Sequence, residues 1–219
     1  MAPRPVGPDS ARDAEPSTMT EEPSPPPFVG LTGGIGAGKS EALAALERLG
    51  AATISADRVV HELYDDPEVR AAVVARWGDD VAPDGRVDRP AVARHAFATD
   101  EDRHWLEGLL WPLVGRRIAS WREEQSLRSP APRALVVETP LLFEAGLDGN
   151  YDATIAIVAD EAIRAQRAAA RGHAALDERT ARQLPQAEKA ARATYAVENS
   201  GSLRDLQQEL SGVLAKLMV

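Results

Sequence analysis

Five short apolar runs, separated by stretches with helical periodicity, constrain this chain more than any other feature of it. They are FVGLT at 28–32, AATIS at 51–55, ALVVE at 134–138, ATIAIV at 153–158 and TYAVE at 194–198. Most are near-continuously apolar and rich in β-branched residues, the pattern of strands buried on both faces. Between them, EALAALERL sets Ala42, Leu43, Leu46 and Leu49 on one helix face and stops at Gly50. EAIRAQRAAAR follows Asp160 and ends before Gly172, and a last helix opens at Ser202 and Asp205 and carries Leu203, Leu206, Leu210, Leu214 and Leu217. Alternating strand and helix predicts an α/β fold, a parallel five-stranded sheet with right-handed crossovers and helices on both faces.

About 78 residues separate the second run from the third, more than a crossover needs. DDPEVRAAVVARWG, DRPAVARHAF and the segment from Glu101 to Gln125 have helical patterns, which predicts an inserted helical subdomain over about 60–127. Residues 1–27 hold eight of the 16 prolines and almost no large apolar side chain, so this segment is expected to be disordered and 28–219 to form one domain. The N-terminal segment lacks the apolar stretch of a signal peptide, and no later run approaches the ~18 residues of a membrane span, so a cytoplasmic location without membrane contact is expected. A net charge of −9 argues against a chain that grips nucleic acid. With no cysteine, disulfides and thiolate metal sites are excluded, and the four histidines show no metal-ligand spacing. Nothing in the sequence points to an obligate protein partner.

The first run leads into GGIGAGKS. Gly33, Gly34, Ile35, Gly36, Ala37, Gly38, Lys39 and Ser40 satisfy G-x-x-x-x-G-K-[ST], between a strand and a helix as the mechanism of that motif requires. Glycines let successive N–H groups point at phosphate oxygens, the helix N-terminus adds partial positive charge, the lysine reaches the β- and γ-phosphates and the serine ligates Mg²⁺. Lys39 is one of only three lysines, which sets it apart from surface decoration. A G-x-G-x-x-G dinucleotide reading fails on the spacing of Gly34, Gly36 and Lys39. The fold expected is therefore of the P-loop NTPase type, with a nucleoside triphosphate and Mg²⁺ at this loop.

In such sheets ligands sit beyond the carboxyl ends of the strands. Glu138 ends the third run, where a carboxylate supports Mg²⁺ directly or through water. Asp57 follows the second run and opens a helix, and the local pattern suits a helix cap and a base for an acceptor hydroxyl equally.

LTGGIGAGKS, SADRVVHELY, VVETPLLFEAGLD, QLPQAEKAARA and ENSGSL stand in the order and approximate spacing found in dephospho-CoA kinases, and from residue 28 onward the chain closely resembles that family. The resemblance implies transfer of the ATP γ-phosphoryl group to the 3′-hydroxyl of dephospho-CoA, with Mg²⁺ as cofactor and a short lid over about 167–185. It matches Asp57 to the base at the ribose hydroxyl and Lys39 to the phosphate-binding lysine. Arg167 and Arg171, at i and i+4 on one helix, match arginines at the edge of the lid, with Arg171 bearing on the γ-phosphate. Asn199 matches an asparagine near the ATP adenine, and Glu41 falls in the ATP-binding stretch. Pro140, Leu141, Leu142, Phe143 and Glu144, with the inserted helices, are expected to receive the acceptor.

The chain departs from the family pattern at a few places. Ser55 stands where aspartate is common, Glu41 where threonine follows the loop serine, Trp111 before Pro112 where histidine is usual, and Thr194 where aspartate precedes the last strand. Another small-molecule P-loop kinase, for nucleosides or nucleoside monophosphates, would share Lys39 and an acidic acceptor site. A nucleotide- or CoA-binding regulator without turnover is the non-enzyme alternative, against which intact Lys39, Ser40 and Asp57 weigh.

Overall fold

The structure, a computed structural model, describes residues 25–170 and 183–218. Its centre is a five-stranded, wholly parallel sheet in the order β2-β3-β1-β4-β5, formed by β1 (Phe28–Gly33), β2 (Ala52–Ser55), β3 (Leu135–Glu138), β4 (Ala153–Val158) and β5 (Tyr195–Glu198). All five strands coincide with the apolar runs to within one residue at either end. β1, β3 and most of β4 are buried, which is why their sequences show no alternation.

Helix α1 (Lys39–Arg48) buries Ala42, Ala45 and Leu46 on the sheet, with Leu43 and Leu49 partly covered beside them. It ends as its glycine predicts. Gly50 has φ 91°, its N–H donates to Glu47 O at 3.0 Å, and the N–H of Ala51 donates to Leu46 O at 3.0 Å, the paired bonds of a Schellman stop. The C-terminal helix, α8 (Leu203–Leu217), packs on α1 and starts with a reciprocal cap between Ser202 and Asp205. It buries Leu206, Leu210, Val213 and Leu214, whereas Leu203, one turn before Leu206, is 60% exposed.

Between β2 and β3 lie α2 (Ala56–Leu63), α3 (Pro67–Trp77), α4 (Arg89–Ala96) and the long α5 (Asp100–Ser126). They gather an apolar cluster of their own around Tyr64, Val69, Val73, Val81, Val92 and Leu110. Asp66, Asp88 and Thr99 accept from first-turn N–H groups at the starts of α3, α4 and α5. His95 belongs to the surface of this group, 2.9 Å from Asp80 and stacked on Trp77, and His104 lies on α5. Two further helices, α6 (Glu161–Ala170) and α7 (Gln186–Arg192), flank the other half of the sheet. Arg171 and most of the expected lid lie outside the described residues.

Candidate functional site

The loop after β1 turns tightly against β4, β5 and α6. Gly36 (φ 76°) and Gly38 (φ 93°) occupy the left-handed region, and a Cβ at either would overlap a neighbour, the Arg164 carbonyl oxygen at Gly36 and the Asn199 amide at Gly38. Both glycines are therefore demanded twice, by conformation and by space. Gly38 precedes α1 directly and Lys39 and Ser40 form its first residues, with Glu41 in the same turn, a favourable place for an acid.

The Lys39 ammonium donates to the Gly33 carbonyl at 3.0 Å and lies 4.0 Å from the Glu138 carboxylate. Glu138, at the end of β3, is 7% exposed and accepts a hydrogen bond from the Ser55 hydroxyl at 2.5 Å. Burial pushes the Glu138 carboxyl above the ordinary carboxylate range; the Ser55 hydrogen bond and the Lys39 charge oppose that shift, and the Asp57 charge adds to it. Gly34, Gly36, Lys39, Ser40, Ser55, Asp57 and Glu138 line one cavity of about 550 Å³ beyond the carboxyl ends of β1, β2 and β3.

The cap of α2 is Ser55, whose Oγ accepts from the Arg58 N–H. Asp57 is one of the first helical residues instead, and its side chain faces the cleft, where it borders the first cavity and two others, of about 190 and 570 Å³. The capping alternative for Asp57 is thereby replaced by a carboxylate at the meeting point of three cavities.

The remaining expected residues separate into those on the cavity walls and those behind them. Pro140 and Leu141 border both large cavities. Leu142 and Phe143 are 0% and 3% exposed and pack inward, and Glu144 turns to the buried ammonium of Lys189 at 2.8 Å while accepting the Leu184 N–H at 2.8 Å. Asn199 is 2% exposed and spends its amide on the Ala37 carbonyl at 2.8 Å, so it braces the phosphate loop from below. Arg167 in turn donates to the Asn199 carbonyl at 3.0 Å.

Arg164 and Lys189 carry no mark in the sequence motifs, and both matter to the site. The Arg164 guanidinium donates to the Ile35 carbonyl at 3.1 Å and lies over Gly34, one helical turn before Arg167. Its i−3 relation to Arg167 was the available signal. Lys189, on α7, is wholly buried and donates to the Pro140 carbonyl at 2.7 Å, with the Thr32 hydroxyl 3.4 Å away. It ties the end of β1, the loop after β3 and the residues just before α7 into one unit. The scarcity of lysine was its only sequence signal.

Among the described residues no cluster of three or more His, Asp or Glu side chains could hold a metal unaided, and no helix is long and apolar enough to cross a membrane. The family model described as "Dephospho-CoA kinase" matches residues 27–205. A dephospho-CoA kinase of Moorella thermoacetica is 38% identical over 181 residues, covering 80% of this chain and 85% of that protein. The solved structure of TT1252 from Thermus thermophilus superposes with a TM-score of 0.73 at 34% identity, over 87% of this chain and 97% of that one. The solved dephospho-CoA kinase from Campylobacter jejuni shares the fold, with a TM-score of 0.58 at 22% identity over 87% of this chain and 96% of that one.

Proposed function

The chain belongs to the dephospho-CoA kinase family and carries out ATP-dependent phosphorylation of the 3′-hydroxyl of dephospho-CoA, giving coenzyme A and ADP, and on that premise we propose how its residues divide the work. The observation that carries the proposal is the position of Asp57 in the same cavity as Lys39, Ser40 and Glu138, at the ends of adjacent strands.

The loop amides and Lys39 hold the β- and γ-phosphates, with Arg164 bracing the loop backbone from α6 and Arg167 holding Asn199, which braces the loop in turn. Arg171, which follows Ala170 directly, is proposed to reach the γ-phosphate from the lid segment 167–185, and the helices between β2 and β3 to form the outer wall of the acceptor site. Asp57 orients the ribose hydroxyl and accepts its proton as the bond from oxygen to the γ-phosphorus forms and the bond to the ADP oxygen breaks. Transition states of this kind are loose, so the carboxylate contributes chiefly by positioning and takes the proton late.

P-loop kinases generally use ATP with Mg²⁺, and the residues here fit that ion. Ser40 and Glu138 present hard oxygen donors in one cavity, and a single carboxylate with a hydroxyl leaves positions for phosphate oxygens and water, as Mg²⁺ prefers. Bound there with ATP, the ion supplies charge neutralisation across the β- and γ-phosphates. A nearby cation also favours the ionised form of Glu138, which burial alone disfavours. The reaction and the absence of an apolar spanning helix among the described residues suit a cytoplasmic enzyme.

The test is ADP release by the purified protein with ATP and Mg²⁺, comparing dephospho-CoA, adenosine, AMP and no acceptor. Turnover with dephospho-CoA far above the other three is expected; preference for adenosine or AMP would favour a nucleoside or nucleotide kinase.

A further inference from the structure

Gln183 borders the cavity of about 550 Å³ that holds Lys39, Ser40, Asp57 and Glu138, and the division of labour set out above gives it no task. The residues that follow it are pinned at three points. The Leu184 N–H donates to Glu144 Oε1 at 2.8 Å. The Gln186 amide forms a reciprocal pair with Ala159, accepting from its N–H at 2.8 Å and donating to its carbonyl at 2.9 Å. Lys189, one turn further, donates to the Pro140 carbonyl at 2.7 Å, and Pro140 lines the same cavity. Main chain held this closely to the loop after β3 and to the residue after β4 fixes where Gln183 meets the cavity. Yet among the described residues the half-buried Gln183 side chain makes no hydrogen bond.

We propose that Gln183 is a further catalytic residue of the phosphoryl transfer, its side-chain amide donating a hydrogen bond to a γ-phosphoryl oxygen. The proposal rests on the kinase reaction stated above. Strand order assigns the partner. In the order β2-β3-β1-β4-β5, Asp57 follows β2, the phosphate loop follows β1, and Gln183 is tethered through Gln186 to the residue after β4. Asp57 and Gln183 therefore approach the cavity from opposite sides of Lys39, the carboxylate toward the hydroxyl that attacks and the amide toward the phosphoryl group that moves.

The residue type suits the place. In transit the charge of the γ-phosphoryl group is spread over its equatorial oxygens, and a donor fixed beforehand stabilises it without reorganising. Glutamine offers two N–H donors and no charge. A lysine or arginine at that edge would pair with Asp57 or Glu138, the carboxylates of the same cavity, and blunt the base, whereas a neutral amide donates without doing so. The amide gives up no proton. The hydroxyl proton still goes to Asp57, the new bond still forms from the acceptor oxygen to the γ-phosphorus, and the bond to the ADP oxygen still breaks.

Gln183→Ala and Gln183→Glu test the assignment by sign as well as by size. Because the side chain holds nothing among the described residues, both variants should keep the wild-type Tm. Gln183→Ala removes one donor and should lower kcat about a hundredfold. Gln183→Glu keeps the shape but sets a negative charge against the phosphoryl oxygens, so its kcat should fall below that of Gln183→Ala. By calorimetry ADP, which has no γ-phosphoryl group, should bind all three proteins alike, while the β,γ-imido analogue of ATP should bind Gln183→Glu about tenfold more weakly than wild type. A kcat for Gln183→Ala within about twofold of wild type overturns the assignment. So does a Gln183→Glu variant no slower than Gln183→Ala, or ADP binding that weakens as much as that of the analogue. A wild type that phosphorylates adenosine or AMP in place of dephospho-CoA defeats the functional reading alone: the γ-phosphoryl group is common to every acceptor, the kinetic comparison then runs with that acceptor, and the binding comparison needs none.

Discussion

Replacing Lys189 by methionine tests whether the loop after β3 is held in place by a buried charge. The ammonium is fully buried, 2.8 Å from Glu144 Oε1 and 2.7 Å from the Pro140 carbonyl oxygen. Methionine keeps most of the volume and removes these hydrogen bonds, leaving a largely buried carboxylate that still accepts from the Leu184 N–H. Breaking a buried pair from one side costs about 3–5 kcal/mol. For a domain of this size, that corresponds to a fall in Tm of roughly 6–20 °C. Replacing both partners, as Lys189→Met with Glu144→Leu, removes the stranded charge and should recover much of the loss. Urea denaturation of the two single variants and the double variant measures the coupling directly. A loss below about 1 kcal/mol for Lys189→Met at an unchanged m-value, or a double variant no more stable than the single, would refute the reasoning. Lys189→Arg keeps charge but not shape, and Pro140 borders both cavities beside Asp57, so on the proposed function KM for dephospho-CoA should rise in it more than KM for ATP.

Lys39→Ala removes the only side-chain cation of the phosphate loop and should lower kcat by a factor on the order of 10² or more in steady-state assays, as loss of one preorganised charge-stabilising donor does. Asp57→Asn keeps shape while removing charge and most basicity, and should lower kcat by roughly 10² to 10⁴ with little change in ATP affinity by calorimetry; collapse of ATP binding with kcat preserved would instead move Asp57 to the nucleotide side. Glu138 has a raised folded-state pKa, so without nucleotide the folded protein binds more protons there than the unfolded chain, and this residue's contribution to stability falls as pH rises through and above the ordinary carboxylate range. Tm of Glu138→Gln minus Tm of wild type should therefore increase between acid and mildly alkaline pH; a flat or falling difference contradicts the assignment of a desolvated carboxylate.

The strands were legible because burial on both faces leaves an uninterrupted apolar run, and α1 because its stripe and its glycine stop agree. The phosphate loop was legible because its glycines answer to backbone geometry, which a spacing motif records. What stood hidden depends on contacts between distant segments. Lys189 meets Pro140 across 49 residues and Arg164 meets Ile35 across 129, and no periodicity marks either. The same cause separates Pro140 and Leu141 from Leu142, Phe143 and Glu144: five consecutive residues share one motif, yet the chain's turning sends two to a cavity and three into the interior. Asn199, expected beside the adenine, gives its buried amide to the Ala37 carbonyl of the phosphate loop, a contact across 162 residues that sequence does not record.

The departures from the family pattern follow a physical rule once placed in the fold. Thr194 exchanges hydrogen bonds with Thr154, each hydroxyl accepting the other's backbone N–H at 3.0 Å, so the start of β5 stays joined to β4 without a charge. Ser55 performs two tasks with one oxygen, capping α2 through the Arg58 N–H and donating its proton to Glu138. An aspartate at that position would cap α2 equally well but, when ionised, could only accept, and it would set a second negative charge against a carboxylate that burial and Asp57 already press toward its neutral form. In this chain the hydroxyl therefore holds Glu138 in place and helps to keep it ionised, and it leaves Asp57 and Glu138 as the two carboxylates at the rim of the phosphate cavity. The serine shifts the balance of charge around the site while Asp57 and Glu138 still line the same cavity, with Glu138 facing Lys39.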